Sequence, residues 1–389
     1  MATICIHNGT LLSGYARMER CAILVEDGLI ADVFSERRFE QKRFSSETVV
    51  LDACGAYIAP GLIDSHIHGF KGFGTEDMSA DAIMAMSEEL GRYGVTAFCP
   101  TIYPMEVSDM VTSIHAVTAV MGRETGARVM GVHLEGPFIS PLRLGVQRPE
   151  FVQPVDIDLM ERLYQAGEGH ITNMTVAPEI KGMRELALYS LKRGIVLQAG
   201  HTDATYENML EGMQAGIQHS THFFNAMSRL HHRDPGAVGA ILIHAELSCE
   251  IIADGKHVHP DLIRLLMRDK PTSKVVLVTD ALKPTEQHHC PLFANLEEVE
   301  LVDGSFHRKS DGVIAGSSLT MIRGVENLVS WGVPIENVVE MAASNPARIL
   351  NLGKRGRLIP GYEADIVVFD AAFKVMASIV AGHFMLNEL

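Results

Sequence analysis

The chain has 389 residues, of which 47% are hydrophobic and 21% are charged, and its formal net charge is −15 at pH 7. This length exceeds one small domain and fits a barrel of about 250 residues with an accessory domain. The acidic balance argues against nucleic acid as a partner, because a phosphate backbone attracts a basic surface. It leaves room for a small phosphorylated ligand, which one or two local arginines or histidines can hold.

We expect a protein of the cytoplasm with no membrane partner. No apolar run reaches the roughly 20 residues of a membrane span. The opening MATICIHNGT lacks the basic and apolar regions of a signal peptide. The cysteines are scattered without a CxxC pair, which is typical of thiols in a reducing compartment; they are Cys5, Cys21, Cys54, Cys99, Cys249 and Cys290.

Both ends of the chain are predicted to form short strands. Residues 2–12, 21–34 and 48–60 are rich in apolar and β-branched residues, and Asp27-Gly28 is a strong hairpin signal. Residues 356–370 and 375–385 have the same character. We expect residues 1–55 and 355–389 to meet in one small β-sandwich domain.

The middle of the chain, residues 56–354, alternates between strand-like and helix-like segments. Continuous apolar strands separated by amphipathic helices indicate a parallel sheet with both faces covered. Eight such units predict an α/β fold of the (β/α)8 TIM-barrel type. The eight apolar runs are 57–69, 95–103, 128–138, 174–179, 195–202, 218–225, 249–258 and 274–282.

Most of these runs end in a histidine or a carboxylate, at the barrel edge where catalytic groups lie. His66 and His68 are two residues apart, so on a strand both imidazoles point to the same side. Glu135 and Asp280 supply carboxylates at two other strand ends. Nitrogen and oxygen ligands without thiolate suit Zn²⁺ or Fe²⁺. The predicted metal ligands and base are His66, His68, Glu135, His201, His222 and Asp280.

Several segments carry a family resemblance, from Pro60 to about Arg348. They are PGLIDSHIHG, HLEGPFIS, AGHTDATYE, THFFNAM, ADGKHVHP, LVTDAL and AGSSLTM. In their order and spacing, the chain resembles the metal-dependent amidohydrolases and, among them, the N-acetylglucosamine-6-phosphate deacetylases. The resemblance implies hydrolysis of N-acetyl-D-glucosamine 6-phosphate to D-glucosamine 6-phosphate and acetate. It also implies a homodimer.

The resemblance assigns a role to each site residue. Glu135 is implied as the central ligand of a first metal with His201 and His222, while His66 and His68 allow a second metal, so one or two ions are expected. Asp280 is implied as the general base and acid, and His257 as the group that polarises the acetyl carbonyl. The implied contacts to the sugar phosphate are Asn225, Ala226, Arg233, Ala315, Gly316 and Ser317.

One position departs from the family pattern and keeps other functions open. Many relatives carry a histidine that helps to hold the sugar phosphate where this chain has Gln147, so the resemblance implies that Gln147 contacts the substrate, as His257 also does; Gln147 donates a hydrogen bond but has no charge. The substrate could therefore be N-acetylgalactosamine 6-phosphate or another N-acyl amino sugar. A cyclic amide, a nucleobase or a non-catalytic barrel used for binding are further alternatives. The pairs His231-His232 and His288-His289 are expected to be solvent exposed.

Overall fold

The computed structural model describes residues 3–287 and 291–389, so His288, His289 and Cys290 lie outside the described residues. The strands of the described residues are β1 Ile4–Leu12, β2 Arg17–Glu26, β3 Leu29–Ser35, β4 Val49–Asp52, β5 Tyr57–Pro60, β6 Leu62–Ile67, β7 Gly69–Phe70, β8 Phe73–Gly74, β9 Val95–Ile102, β10 Arg128–Val129, β11 Val132–Glu135, β12 Ile171–Val176, β13 Val196–Ala199, β14 His219–Ser220, β15 Cys249–Ile252, β16 Val275–Val278, β17 Leu292–Ala294, β18 Glu297–Val302, β19 Ser305–Arg308, β20 Ile314–Ser317, β21 Ile366–Phe369, β22 Val375–Val380 and β23 His383–Asn387.

The helices of the described residues are α1 Glu36–Gln41, α2 Ala80–Arg92, α3 Val107–Thr118, α4 Ile157–Ala166, α5 Met183–Leu191, α6 Tyr206–Ala215, α7 Gly236–Ile243, α8 Pro260–Asp269, α9 Met321–Ser330, α10 Ile335–Val339 and α11 Asn345–Ile349. Helix α1 packs on strands β1, β2 and β3 of the outer sheet, and most of the later helices pack around the barrel. A π-helical turn, Glu340–Ser344, joins the last two helices. None of the helices in the described part of the chain is both long and apolar enough to cross a membrane.

The predicted (β/α)8 barrel is confirmed, and each of the eight apolar runs supplies one of its strands. Parallel pairing connects β6, β9, β11, β12, β13 and β14 in one ladder, and β15 with β16 in another. Main-chain hydrogen bonds join the two ladders: Ser220 N–H donates to Ser248 O, and Asp280 N–H donates to His66 O. The carboxyl ends of all eight strands therefore meet at one mouth.

Local sequence signals explain where the helices begin and end. In α6, the Thr205 hydroxyl accepts from Asn208 N–H, and the Asn208 side chain accepts from Thr205 N–H, which forms a capping box. The helix ends at Ala215 and is capped by Gly216, whose φ of 111° is readily adopted by glycine. Between these ends Met209 is buried against the barrel.

The two ends of the chain meet in one outer sheet, as expected. Its strand order is β23-β22-β21-β5-β1-β2-β3, and β4 pairs with β1 next to β5. Its core contains Ile6, Ile23, Ile366 and Ile379, all fully buried. Strand β5 lies beyond residue 55 and yet belongs to this sheet. The domain division at residues 55 and 355 itself stays a prediction.

Sequence analysis assigned no strand to residues 292–317, where the structure has a small antiparallel sheet. Strands β17, β18, β19 and β20 pair in chain order. Strand β20 contacts the end of the eighth barrel strand through an isolated bridge between Ala281 and Ser317. The small sheet thus lies beside the mouth of the barrel. Its exposed apolar residues, such as Phe293 and Leu301, obscure the usual alternation of a surface strand.

Helix α9 packs closely on strand β16 because Gly324 faces Leu277. A Cβ atom at Gly324 would lie 3.1 Å from Leu277 Cδ1 and 3.3 Å from Leu319 Cδ2. Leu277 is fully buried. This contact joins α9 to the last strand of the barrel.

We expect Leu277→Ala to lower the free energy of unfolding by about 2–5 kcal/mol, because a buried side chain is replaced by a cavity. Urea unfolding followed by circular dichroism measures the change. The control is Leu265→Ala on α8, where the leucine is 37% exposed. An equal effect of the two substitutions would contradict the close packing of α9 on β16.

Candidate active site

Two groups of possible metal ligands meet at the mouth of the barrel. One consists of Glu135, His201 and His222, and the other of His66, His68 and Asp280. Within each group the ligand atoms lie within 4.8 Å of one another, and all six residues are buried. The structure therefore brings together the six strand-end residues that sequence analysis selected, although they come from five different strands.

The first group has the dimensions of a tetrahedral metal site. Glu135 Oε1 lies 3.2 Å from His201 Nε2 and 3.1 Å from His222 Nε2, and the two nitrogens are 3.1 Å apart. Ligand atoms of tetrahedral zinc, at about 2.0–2.1 Å from the ion, are separated by about 3.3 Å. The three atoms thus match one face of such a site.

The second group shares Glu135 with the first. His66 Nε2 and His68 Nε2 lie 3.4 and 3.3 Å from Asp280 Oδ1. The same nitrogens lie 3.4 Å from Glu135 Oε1 and 3.3 Å from Glu135 Oε2, respectively. His66 Nε2 is buried without a hydrogen-bond partner. A buried nitrogen of this kind between two carboxylates fits a metal ligand.

Contacts behind the imidazole rings aim their Nε2 atoms into the mouth. His68 Nδ1 donates to Thr101 O at 3.1 Å, and the His68 ring stacks on Tyr103 with ring centres 3.7 Å apart. His201 Nδ1 donates to Arg143 O at 3.0 Å. Because Nδ1 donates to a carbonyl in both rings, Nε2 is the nitrogen that is left to face the mouth and to bind a metal.

The backbone at three of these residues lies in a region that side chains rarely adopt. The φ angles are 45° at His201, 27° at His222 and 50° at Asp280. Such conformations persist only where the surrounding structure holds them, and they concentrate at functional sites. The strand ends are therefore shaped to turn these side chains inward.

Burial and opposite charge act against each other on the carboxylates. Burial raises the pKa of Glu135, but His66, His201 and His222 more than offset this and hold it well below its usual range. Burial likewise raises the pKa of Asp280, while His66 and His68 lower it, and the net shift is downward. Both groups are thus anionic at neutral pH and suited to a cation.

His257 lies beside the two groups and has a carboxylate partner that sequence analysis missed. Its Nδ1 is 2.6 Å from Asp254 Oδ2, and its main-chain N–H donates to Asp254 Oδ1. Burial raises the pKa of Asp254, but His257 outweighs burial and the pKa is lowered. The anionic partner keeps the proton on Nδ1. An acidic residue three positions before the histidine, in ADGKHV, is the only signal in the sequence.

A cavity of about 280 Å³ opens onto both ligand groups and His257. The predicted substrate residues that line it are Gln147, Asn225, Ala226, Ala315 and Gly316. Gln147 Nε2 donates to Glu135 Oε2 at 2.6 Å, and its Oε1 is buried without a partner. The glutamine therefore touches a predicted metal ligand directly.

The structure does not bring two of the predicted substrate residues into this cavity. Ser317 turns away, because its hydroxyl donates to Thr279 O and its main-chain N–H donates to Asp280 O. Arg233 is exposed, and its Nη1 contacts His232 Nε2 at 2.7 Å. His231 and His232 are exposed, as expected. A second, adjoining cavity is lined by Arg143 and Arg229 and shares Asn225 and Ala226 with the first.

Similarity to known proteins agrees with this geometry. Residues 57–385 match the Amidohydrolase family. The N-acetylglucosamine-6-phosphate deacetylase of Bacillus subtilis (strain 168) is 33% identical over 369 residues, covering 92% of this chain and 91% of that protein. The N-acetylgalactosamine-6-phosphate deacetylase of Escherichia coli O157:H7 is 30% identical over 333 residues, covering 84% of this chain and 87% of that protein.

Among solved structures, a similar one is a mutant N-acetyl-D-glucosamine-6-phosphate deacetylase from Mycobacterium smegmatis in complex with N-acetyl-D-glucosamine-6-phosphate. It has a TM-score of 0.92 and 26% sequence identity, and the match covers 100% of both chains. The barrel, its buried ligand groups and these similarities lead to one conclusion: the chain belongs to the amidohydrolase family.

Proposed function

We propose that this protein hydrolyses the acetamide bond of N-acetyl-D-glucosamine 6-phosphate and releases D-glucosamine 6-phosphate and acetate. The observation that carries the proposal is the convergence of Glu135, His201 and His222 on one point, beside a cavity that also contains His257 and Asp280. The relatives from Bacillus subtilis and Mycobacterium smegmatis are named for this activity, and each of them matches nearly the whole of this chain.

The ligand chemistry supports one or two divalent ions per chain, Zn²⁺ or Fe²⁺. Glu135, His201 and His222 would hold the first ion, and His66, His68 and Asp280 the second. A bound ion supplies the Lewis acidity that makes water a nucleophile near neutral pH. The buried, unpartnered Nε2 of His66 and the anionic carboxylates between the imidazoles support this assignment.

Asp280 and His257 are the proposed catalytic residues. The lowered pKa of Asp280 leaves its carboxylate free to accept a proton from the attacking water. It then passes that proton to the nitrogen of the departing amine. His257, held by Asp254 through Nδ1, directs Nε2 towards the cavity, where this nitrogen would form a hydrogen bond with the acetyl oxygen as negative charge develops there.

For the phosphate we propose a site that begins at Asn225 and Ala226 and extends into the adjoining cavity with Arg143 and Arg229. Guanidinium groups bind phosphate through paired hydrogen bonds. Arg233 is exposed on its own chain, which suits a contact made across the interface of a homodimer.

The unpaired cysteines among the described residues support a reducing, cytoplasmic setting for this protein.

The direct test is acetate release by the purified protein after loading with Zn²⁺ or Fe²⁺. We expect turnover of N-acetyl-D-glucosamine 6-phosphate, with a much lower kcat/KM for the sugar that lacks the phosphate. A metal analysis before loading addresses the non-catalytic alternative, which predicts protein without bound transition metal. No release from any N-acetyl amino-sugar phosphate by metal-loaded protein would contradict the proposal.

A second candidate substrate is N-acetylgalactosamine 6-phosphate. It is favoured by the Escherichia coli relative and by Gln147, whose unpartnered Oε1 lies in the cavity wall. Comparing kcat/KM for the two epimers decides between them. A clear preference for the galacto sugar would replace the first proposal. Cyclic amides and nucleobases serve as negative controls in the same assay.

We expect Asp280→Asn to lower kcat by about 10²–10⁴-fold and to change KM by only a few-fold, because the amide cannot accept the proton. Steady-state kinetics on protein of measured metal content gives both constants. The matched control is Asp303→Asn, at a residue that also has a positive φ but whose side chain is 82% exposed. A near-normal rate of Asp280→Asn would exclude Asp280 as the proton carrier.

We expect Arg233→Ala to raise KM for the sugar phosphate by about tenfold or more, since a charged hydrogen bond is lost. Arg17→Ala, at another exposed arginine, should leave KM unchanged. Arg233 could also act across a dimer interface. In that case, a mixture of Arg233→Ala and Asp280→Asn chains, allowed to reassociate, should regain part of the activity that is lost in each variant alone at low substrate concentration. Failure to regain it would place Arg233 outside the partner's site.

A further inference from the structure

A third carboxylate lies under the two ligand groups, inside the barrel. Glu250 belongs to strand β15, whose sequence CEII is otherwise apolar, and it is fully buried. An ionised carboxylate in such a place is costly unless hydrogen bonds and positive charge compensate for the lost water. The function proposed above does not use this residue, although its burial carries that cost.

Both oxygens of Glu250 are engaged by groups from other barrel strands. Oε2 lies 3.0 Å from His66 Nδ1 and accepts from His222 N–H at 3.2 Å. Oε1 accepts from Gln198 Nε2 at 2.7 Å. Asn173 in turn donates to Gln198 Oε1 at 2.5 Å, so the network extends through β13 to β12. These bonds hold the Glu250 carboxylate in one orientation.

The contact with His66 determines which ring nitrogen is available to a metal. A carboxylate only accepts, so Nδ1 of His66 donates to Glu250, and Nε2 is the nitrogen that faces Asp280 and Glu135 and is available to a metal. A carboxylate behind a histidine fixes the tautomer and increases the basicity of the metal-facing nitrogen. The partner of Nδ1 in His68 and in His201 is only a main-chain carbonyl.

The charge balance of the site also indicates that Glu250 favours metal binding. Each ligand group contributes one carboxylate, Glu135 or Asp280, and Glu135 lies between the two. Two divalent ions side by side would leave a large positive excess in a buried site. Glu250 adds a further negative charge directly behind His66, on the side of the second group.

We propose that Glu250 is a positioning residue that gives the group of His66, His68 and Asp280 its affinity for a second divalent ion. The proposal rests on the metal-dependent function described above. It goes beyond that function because binding of the second ion is made to depend on a residue that contacts neither substrate nor metal. If Glu250 only supported the barrel, it would not favour metal binding at one ligand group over the other.

The test is metal binding by Glu250→Gln, which keeps the shape and removes the charge. Protein dialysed against buffered Zn²⁺ over a range of free concentrations is analysed for metal per chain by mass spectrometry. We expect two ions in the unchanged protein. In Glu250→Gln we expect an unaltered first affinity and a second affinity weakened about 10–100-fold, as for other partners of metal-binding histidines.

The matched control is Asn173→Ser, which disturbs the same buried network without contacting a ligand. It should keep both ions. Equal affinities in Glu250→Gln and the unchanged protein, or parallel loss of both ions, would overturn the proposal, as would a single ion in the unchanged protein. These readouts are independent of activity, so a protein that binds two ions and releases no acetate contradicts the proposed function only.

If Glu250→Gln does not fold, Glu250→Asp is measured in the same way, because it keeps the charge but withdraws the carboxylate from His66 Nδ1. It should also lose the second ion selectively. A measurement on the unchanged protein needs no variant: NMR of ¹⁵N-histidine-labelled protein should show a proton on His66 Nδ1 both with and without metal. Its absence would overturn the proposal.

Discussion

The carboxylate of Glu135 lies between two clusters of imidazole and carboxylate groups, and the architecture of the barrel mouth follows from keeping that charge buried. One oxygen faces His201 and His222, and the other faces His68 and Gln147. A buried anion is tolerated only when positive charge or donors surround it. The surrounding strand ends provide such partners on every side, and the same arrangement creates sites for cations.

The polar interior continues below the mouth in a second layer. His133 lies between Thr101 and Thr175, with hydrogen bonds of 3.0 and 2.9 Å, and Thr175 contacts Thr221 at 2.7 Å. Burial raises the pKa of Asp64 to about 7, although Thr279 donates to it twice. The interior of this barrel thus contains layers of hydrogen bonds as well as aliphatic side chains. These layers pack against the imidazole rings of the ligand groups on the side opposite the Nε2 atoms, which face the cavity.

Much of the fold was predictable because its strands are short apolar runs that recur at regular intervals. The predicted ligands were recognisable for a related reason, since a charged residue such as Asp280 directly after VVLVT is costly to bury unless it is paired or bound to a metal. Partners such as Glu250 were not predictable. It meets His66 across a sequence separation of 184 residues, and only closure of the barrel brings the two together. Inside CEII, one glutamate looks like an interruption of a strand.

The positions of Ser317 and Arg233 show a different limit. The segment with Ala315 and Gly316 was predicted to cover the ligand, but its backbone pairs as strand β20, which commits Ser317 N–H to Asp280 O. Such pairing depends on the small antiparallel sheet, whose strands carry mixed polar and apolar residues on both faces. Arg233 lies on an exposed turn, where the contacts of a side chain depend on the ligand or the second chain that binds there.

The outer sheet links the first and last parts of the chain strand by strand. Strand β21 lies between β5 and β22, with Val367 opposite Ala59 and Ile366 opposite Pro60. During synthesis, β5 would have to wait for this neighbour until the barrel and nearly everything after it had emerged from the ribosome. Pairings over such separations form slowly, because a long loop must close before any contact is gained. Completion of the sheet is therefore a late event in folding, and until then one edge of β5 remains open to competing strands.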